Sequence, residues 1–320
     1  MTATVPTLAD LQAASERIRP EAHRTPVLRS RGLDERLGAS LAFKCENLQR
    51  VGAFKFRGAA NAVLSLSPAE AARGVATHSS GNHAQALALA ARIRGIPAHI
   101  VMPEGSSKVK VAAVRGYGGR IVFSANTQEA RERTLQEVLR ATGATLVHPY
   151  NDPRVIAGQA TACMELLEEA TDLDLVLVPV GGGGLASGTA LACRYLAPRV
   201  RVVGVEPTAA DDAFRSLRDG VIHPSVAPQT IADGLRTSLG TLTFEILRSG
   251  LERIVTVSEA SIVEAMRLVW ERMKIVVEPS AAVPVAALLE GVVPAATGRI
   301  GVILSGGNVD LDALPWAAKS

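Results

Sequence analysis

Chemistry in this chain starts at Lys55, set in the stretch Val51-Gly-Ala-Phe54-Lys55-Phe56-Arg57-Gly58-Ala59. Small and aromatic neighbours suit a packed pocket, and an amine partly removed from water loses some preference for its charged form. A lysine tuned in this way is nucleophilic near neutral pH, as a Schiff base with an aldehyde cofactor or a carbonyl substrate requires. The plainer alternative is a lysine at a helix start that snorkels to solvent beside Arg57. Three later stretches favour the first reading.

Each of the three follows a β-rich run, where open α/β sheets place their ligands. His78-Ser79-Ser80-Gly81-Asn82-His83 offers hydroxyls, a glycine and exposed amides at the start of a helix, a setting for a substrate carboxylate. Val180-Gly181-Gly182-Gly183-Gly184-Leu185 lets the backbone approach an anion and aim several N–H groups at it, as a phosphate cradle without a lysine does. Ser305-Gly306-Gly307-Asn308 places a hydroxyl at a strand end, able to donate to a ring nitrogen. Read alone, the second stretch has a rival meaning. Gly181-x-Gly183-x-x-Ala186, with Glu206 at the end of the next strand, also has the form of a dinucleotide fingerprint with its ribose acid, as in an NAD-dependent dehydrogenase.

These loops must be held by elements, and the apolar pattern supplies them in alternation. Strands are expected at 41–45, 75–77, 98–101, 120–123, 145–147, 175–179, 201–205 and 300–304. Helices are expected from the Thr7 cap to Ile18 and at 82–94, 107–115, 128–142, 155–170, 185–196 and 258–273, with one more after Pro279. The rhythm is that of βαβ units with parallel strands, and two doubly wound sheets fit it better than one very wide sheet. Between Glu206 and Thr256 the rhythm loosens around Pro207, Pro224 and Pro228, and a long connection is expected.

Composition narrows the function classes. The chain has 320 residues with 48% hydrophobic, enough for one large or two joined domains. A net charge of +3 with scattered Lys and Arg argues against nucleic acid and leaves small anions open. Cys45, Cys163 and Cys193 form no C-x-x-C, which fits a reducing compartment, and the cytoplasm is the expected location. Residues 1–19 lack a basic start followed by an apolar run, so no signal peptide is expected. The apolar stretch 173–193 is interrupted by Asp174 and four glycines, so a strand, loop and helix are expected there rather than a membrane span.

A buried lysine, a carboxylate loop, a glycine phosphate cradle and a strand-end serine, in this order, resemble the fold-type II pyridoxal-phosphate enzymes, in particular the threonine/serine dehydratase and serine racemase family. Lys44-Cys-Glu-Asn-Leu-Gln49, Ile156-Ala-Gly-Gln159, Thr230-Ile-Ala-Asp-Gly234 and Val269-Trp-Glu-Arg-Met273 extend the likeness from about Thr25 to Asp310. The resemblance implies a tryptophan synthase β-like α/β fold: a large domain of residues 1–73 and 151–320, a small mobile domain of residues 74–150, and the active site in the cleft between them. By the same resemblance Lys55 holds pyridoxal 5′-phosphate with Phe54 packed beside it, Asn82 bonds the ring 3′-oxygen, and Ser305 faces the ring nitrogen. Gly181, Gly182, Gly183 and Gly184 hold the phosphate, and Ser79, Ser80, Gly81 and His83 line the carboxylate loop.

The implied activity is β-elimination of L-threonine or L-serine to 2-oxobutanoate or pyruvate and ammonia. Lys55 is the base on one face and Ser80 stands on the other, so serine racemisation is an alternative outcome. Arg131 matches an arginine able to meet a second carboxylate, which makes 3-hydroxyaspartate a candidate substrate; a solvated helix charge is the competing reading. Glu206, the Ala210 carbonyl and Asp212 match the racemase version of a divalent cation site for Mg²⁺, Ca²⁺ or Mn²⁺, an oxygen-rich set suited to hard ions. The expected partner is a small amino acid, with no nucleic acid and no membrane. The expected assembly is a homodimer or homotetramer, and the lack of a regulatory tail after residue 310 points to a catabolic form.

Overall fold

The computed structural model of the chain describes residues 4–294 and 298–317. The ten strands of the described residues, numbered in chain order, are β1 (Val27–Leu28), β2 (Ser40–Cys45), β3 (Val75–His78), β4 (Ala98–Pro103), β5 (Arg120–Ser124), β6 (Thr145–Leu146), β7 (Leu175–Pro179), β8 (Arg201–Pro207), β9 (Arg253–Val257) and β10 (Arg299–Leu304). They form two sheets, ordered β1-β2-β10-β7-β8-β9 and β5-β4-β3-β6. All pairs are parallel except β1 with β2, so the larger sheet is mixed at one edge.

Helices cover both faces of each sheet because the central strands are apolar on both faces: Leu175–Pro179 is buried at all five positions. One face of the large sheet packs on helices Glu259–Met273 and Pro279–Leu289. The other packs on Leu8–Ile18, Pro153–Glu169, Gly184–Leu196 and Thr241–Gly250. The small sheet sits between Asn82–Arg94 on one side and Gln128–Thr142 on the other. Helix Lys55–Leu64 packs with both lobes: Phe56, Ala59 and Val63 share a core with Leu87 and Ile100, while its glycine face meets Pro153–Glu169. The residue that starts this helix, Lys55, therefore stands on an element shared by the packing around both sheets.

The expected parallel strands and the helices 82–94 and 128–142 agree with the structure. The long connection after Glu206 does not. It holds helices Asp212–Asp219 and Thr241–Gly250 and strand β9. The first of these is an eight-residue helix with one apolar face, closed by Gly220 at φ 72°, too short for its period to stand out between prolines. Helices Arg31–Leu37 and Pro68–Arg73 are likewise additions to the sequence reading.

Candidate active site

The approach to Lys55 is a strained turn. Val51 adopts φ 56° and Gly52 φ 69°, and a β-branched residue in the left-handed region costs about 1–2 kcal/mol. The turn is held from the β10 loop: Asn308 Nδ2 donates to the Val51 carbonyl at 2.6 Å, and Gly307 N donates to the Gly52 carbonyl at 2.8 Å. Phe54 N then donates to the Ser305 carbonyl at 3.0 Å, beside an antiparallel bridge of Ala53 with Gly306. The lysine loop and the serine loop are thus closed onto each other, which brings Lys55 and Ser305 together across 250 residues of chain. Any side chain at Gly52 would meet Asn308 at 2.6 Å.

Lys55 Nζ donates to the Pro149 carbonyl at 2.8 Å and lies 5.1 Å from the centre of the Phe54 ring. The residue as a whole is half-buried, and its amine is enclosed by protein. Burial lowers its pKa to about 8, against a smaller opposing pull from Glu278. Beneath it, Arg57 anchors the same helix in a buried ion network. Its guanidinium meets Glu46 at 2.7 and 2.8 Å and Glu165 at 2.7 and 2.8 Å, and Lys44 Nζ closes on Glu165 at 2.6 Å. Two cations and two carboxylates balance, and the bonds to Thr25 and Thr161 satisfy further polar atoms. Arg57 is therefore an interior clamp, not a solvated neighbour of the lysine.

The glycine loop runs from β7 into helix Gly184–Leu196, with Gly183 at φ 88° and no side chain capping the helix start. All four glycines are buried. A Cβ on Gly182 would enter the Tyr150 ring at 2.3 Å, and one on Gly183 would meet Leu239 and Thr243 at 2.9 Å. Thr243 Oγ1 holds the loop by donating to the Gly182 carbonyl at 2.9 Å. The uncapped amide end of a helix behind glycines is a fitting receptor for a phosphate.

Asn82 opens helix 82–94 and points into the same region. Its Nδ2 donates to Glu278 Oε1 and Oε2 at 3.0 and 3.2 Å, and its Oδ1 accepts from Asn308 Nδ2 at 2.9 Å. Ser79, Ser80 and Gly81 line the turn before it, all half-buried. His83 does not line that loop's open face. It is buried beneath it, with Nε2 at 3.1 Å from the Val147 carbonyl, because the second residue of the helix faces the core. Burial holds its pKa well below the usual histidine value, so it is neutral. His148, with its ring edge-on to Tyr150 at 4.6 Å, is lowered to about 4 by burial.

Arg131 stands on helix 128–142 close enough for its charge, after burial, to lower the His78 pKa. Its Nε is buried without a hydrogen-bond partner. Glu206 and Asp212 lie apart from Lys55, at the end of β8. Glu206 accepts from Ala213 N at 3.2 Å and Phe214 N at 2.7 Å. Both Asp212 oxygens are buried without a hydrogen bond of normal geometry; the Ser225 hydroxyl, the residue's own N–H and the Arg215 charge ease the charge only in part. Burial, followed by the neighbouring Asp212 charge, pushes Glu206 well above the usual carboxylate range; burial lifts Asp212 to about 6. Among the described residues no group of three His, Cys, Asp or Glu side chains is placed to hold a metal ion.

Glu278, Asn308 and Tyr150 are site residues that the sequence reading did not single out. A Glu-Pro pair at a helix start, as at Glu278-Pro279, is the one local signal that could have marked the first.

Lysine, uncapped glycine loop, strand-end serine and the asparagine between them define a site for a phosphorylated aldehyde, and the chain belongs to the family described as pyridoxal-phosphate dependent enzyme, which it matches over residues 18–306. Within it, the chain is 52% identical to the beta-hydroxyaspartate dehydratase of Paracoccus denitrificans, covering 98% of this chain and 99% of that protein. It is 50% identical to the serine racemase of Arabidopsis thaliana, over 98% and 96% of the two chains. Among solved structures, the serine racemase of Dictyostelium discoideum superposes with a TM-score of 0.92 at 46% identity, covering 97% of this chain and 100% of that one. The glycine loop therefore belongs to a pyridoxal-phosphate enzyme, which removes the dinucleotide reading. No helix among the described residues is long and apolar enough to cross a membrane.

Proposed function

We propose that the chain is an ammonia-lyase for 3-hydroxyaspartate, with serine racemisation as a second activity of the same site. The observation that carries the reading is Arg131, whose buried Nε has no partner while its charge reaches His78 beside the carboxylate loop. A dicarboxylic substrate gives that guanidinium a partner, and threonine does not. The likeness to a beta-hydroxyaspartate dehydratase and a serine racemase supports the same preference over the threonine activity implied at first.

Gly181 to Gly184, Lys55, Asn82 and Ser305 fit pyridoxal phosphate: an added Cβ would clash at Gly181, Gly182 and Gly183 and crowd Tyr150 at Gly184, and the amine is tuned to about 8. Bound there, the group supplies an electron sink for the pair left at Cα when its proton departs. The chain's own residues do the rest. The Ser79 to Asn82 turn takes the α-carboxylate on its hydroxyls and amides, and Arg131 takes the second carboxylate. Lys55, with a free-base fraction near neutral pH, removes the Cα proton from one face. Loss of the β-hydroxyl and hydrolysis give a 2-oxo dicarboxylate and ammonia. Return of the proton from Ser80 on the other face inverts Cα and accounts for racemisation. Residues 74–150 act in this reading as a lobe that closes over the cleft, with the Lys110–Asp233 ion pair at 2.6 Å as one tie across it.

The cation site at Glu206, the Ala210 carbonyl and Asp212 also belongs to the proposal. Its support is the pair of unpartnered Asp212 oxygens, which a divalent ion with bound water would satisfy.

The test is Arg131→Ala, assayed with L-threo-3-hydroxyaspartate and L-serine. Loss of a charge-assisted pair worth about 2–3 kcal/mol lowers kcat/KM for the dicarboxylate about 30- to 150-fold and leaves L-serine within about threefold. Equal losses on both substrates would sink the dicarboxylate reading. In the same assay Ser80→Ala should reduce D-serine formation more than pyruvate formation.

A further inference from the structure

Glu278 is an acid with no place in the reaction as described, yet it is among the most connected residues of the site. Its side chain is 4% exposed and sits at the start of helix Pro279–Leu289, where it makes no capping bond of its own. One carboxylate oxygen accepts from Asn82 Nδ2 at 3.0 Å; the other accepts from Asn82 Nδ2 at 3.2 Å and from Asn308 N at 3.1 Å. Its own N–H donates to the Gly306 carbonyl at 3.0 Å, and a Cβ on Gly306 would meet its Oε1 at 2.7 Å. Asn308, held by it, in turn holds both Asn82 Oδ1 and the strained Val51 turn before Lys55.

The consequence for Asn82 is geometric. A carboxamide can be turned over at almost no internal cost, and its orientation is set by partners. Here a doubly accepting carboxylate on one side and the Asn308 amide donor on the other leave one orientation, with NH₂ toward Glu278 and oxygen toward Asn308. A neutral amide at position 278 would present a donor to one of the two N–H groups and lose that ordering.

We propose that Glu278 is a positioning residue: its carboxylate fixes the amide of Asn82 and, through Asn308, the seat of the Lys55 turn and the Ser305 loop against the ring. The inference rests on the pyridoxal-phosphate reading of this site. The charged groups around Glu278 are Lys55 from helix 55–64, Asp233 from the Thr230–Gly234 loop and Lys110 from helix Lys108–Gly116; the remaining partners, Asn82 and Asn308, are neutral. Burial, then Asp233, lifts its pKa to about 7, while the bonds from Asn82 and Asn308 pull it down. Positioning by the ionised form is therefore present above pH 7 and lost as pH falls through it. Stability runs the other way. A carboxyl raised above its unfolded value stabilises the fold most when protonated, and this contribution is lost as pH rises through about 7.

That opposition separates a positioning role from a structural one. Holoenzyme, Glu278→Gln and Glu278→Asp are compared by cofactor absorbance, by pyridoxal-phosphate dissociation in equilibrium dialysis, by melting temperature at pH 8, and by kcat against pH. In Glu278→Gln we expect the cofactor to dissociate about tenfold more readily, as for one charge-assisted hydrogen bond lost. The absorbance band should shift, kcat should fall about tenfold and lose its limb near pH 7, and the melting temperature should equal or exceed the parent's. Glu278→Asp should recover part of the cofactor affinity and the limb. Unchanged affinity, band and limb in Glu278→Gln overturn the proposal, as does a fall in melting temperature that alone accounts for lost activity. If the parent itself takes up no cofactor, the fault lies with the reading of the site and not with Glu278.

Discussion

Gly158→Ala tests whether Lys55 is placed by helix packing. An added Cβ would lie 2.6 Å from the Arg57 carbonyl oxygen, 2.6 Å from Gly58 Cα and 2.9 Å from the Arg57 carbonyl carbon. All three are backbone atoms, so no rotamer change can make room. To reach an ordinary contact, helix Lys55–Leu64 must move from helix Pro153–Glu169 by roughly 1 Å. That shift stretches the Arg57 bonds to Thr161 and Glu165 on the second helix, now 3.1, 2.7 and 2.8 Å. Overpacking of this kind costs about 1–3 kcal/mol, a drop of about 2–6 °C in melting temperature for a chain of this size. The larger effect falls on turnover, because displacement of a reacting group by about 1 Å can cost about 100-fold in rate. Gly32→Ala is the control: Gly32 is helical, nothing lies within 4 Å of its Cβ position, and the substitution should stabilise by about 0.5–1 kcal/mol. Thermal melts and kcat for the two variants decide the matter. A Gly158→Ala protein that melts with the parent and keeps its kcat would refute the packing account of how the lysine is placed.

Two further outcomes follow from the electrostatics. Because burial lowers Lys55 to about 8, the rate at which cofactor-free protein takes up pyridoxal phosphate should climb with pH through about 8, whereas an ordinary lysine would climb through about 10.4; stopped-flow absorbance reads the midpoint. Glu206 and Asp212 are both raised, Asp212 to about 6, so with chelator present they favour the fold most when protonated and melting temperature should fall as pH rises through 6; Mg²⁺ at pH 8 should restore it in the parent and not in Glu206→Ala, and a flat chelator profile would leave the site without a cation.

The sequence alone determined the parallel strands, because runs such as Leu175–Pro179 are buried on both faces and their apolar content needs no context. It also determined the chemistry of the loops that follow them, since lysine, serine and glycine types limit what a strand end can do. What it left open depends on residues far apart in the chain. Glu278 is an ordinary acid until folding brings it to Asn82, 196 positions away, and Arg57 reads as a surface charge until Glu46 and Glu165 enclose it. The same is true of His83, whose type suited a binding loop but whose place on the inward side of its helix buried it. Local pattern fixes which groups a loop carries; burial and partners, set by how helix Lys55–Leu64 is held between two sheets, decide which of them face the cleft and in which charge state.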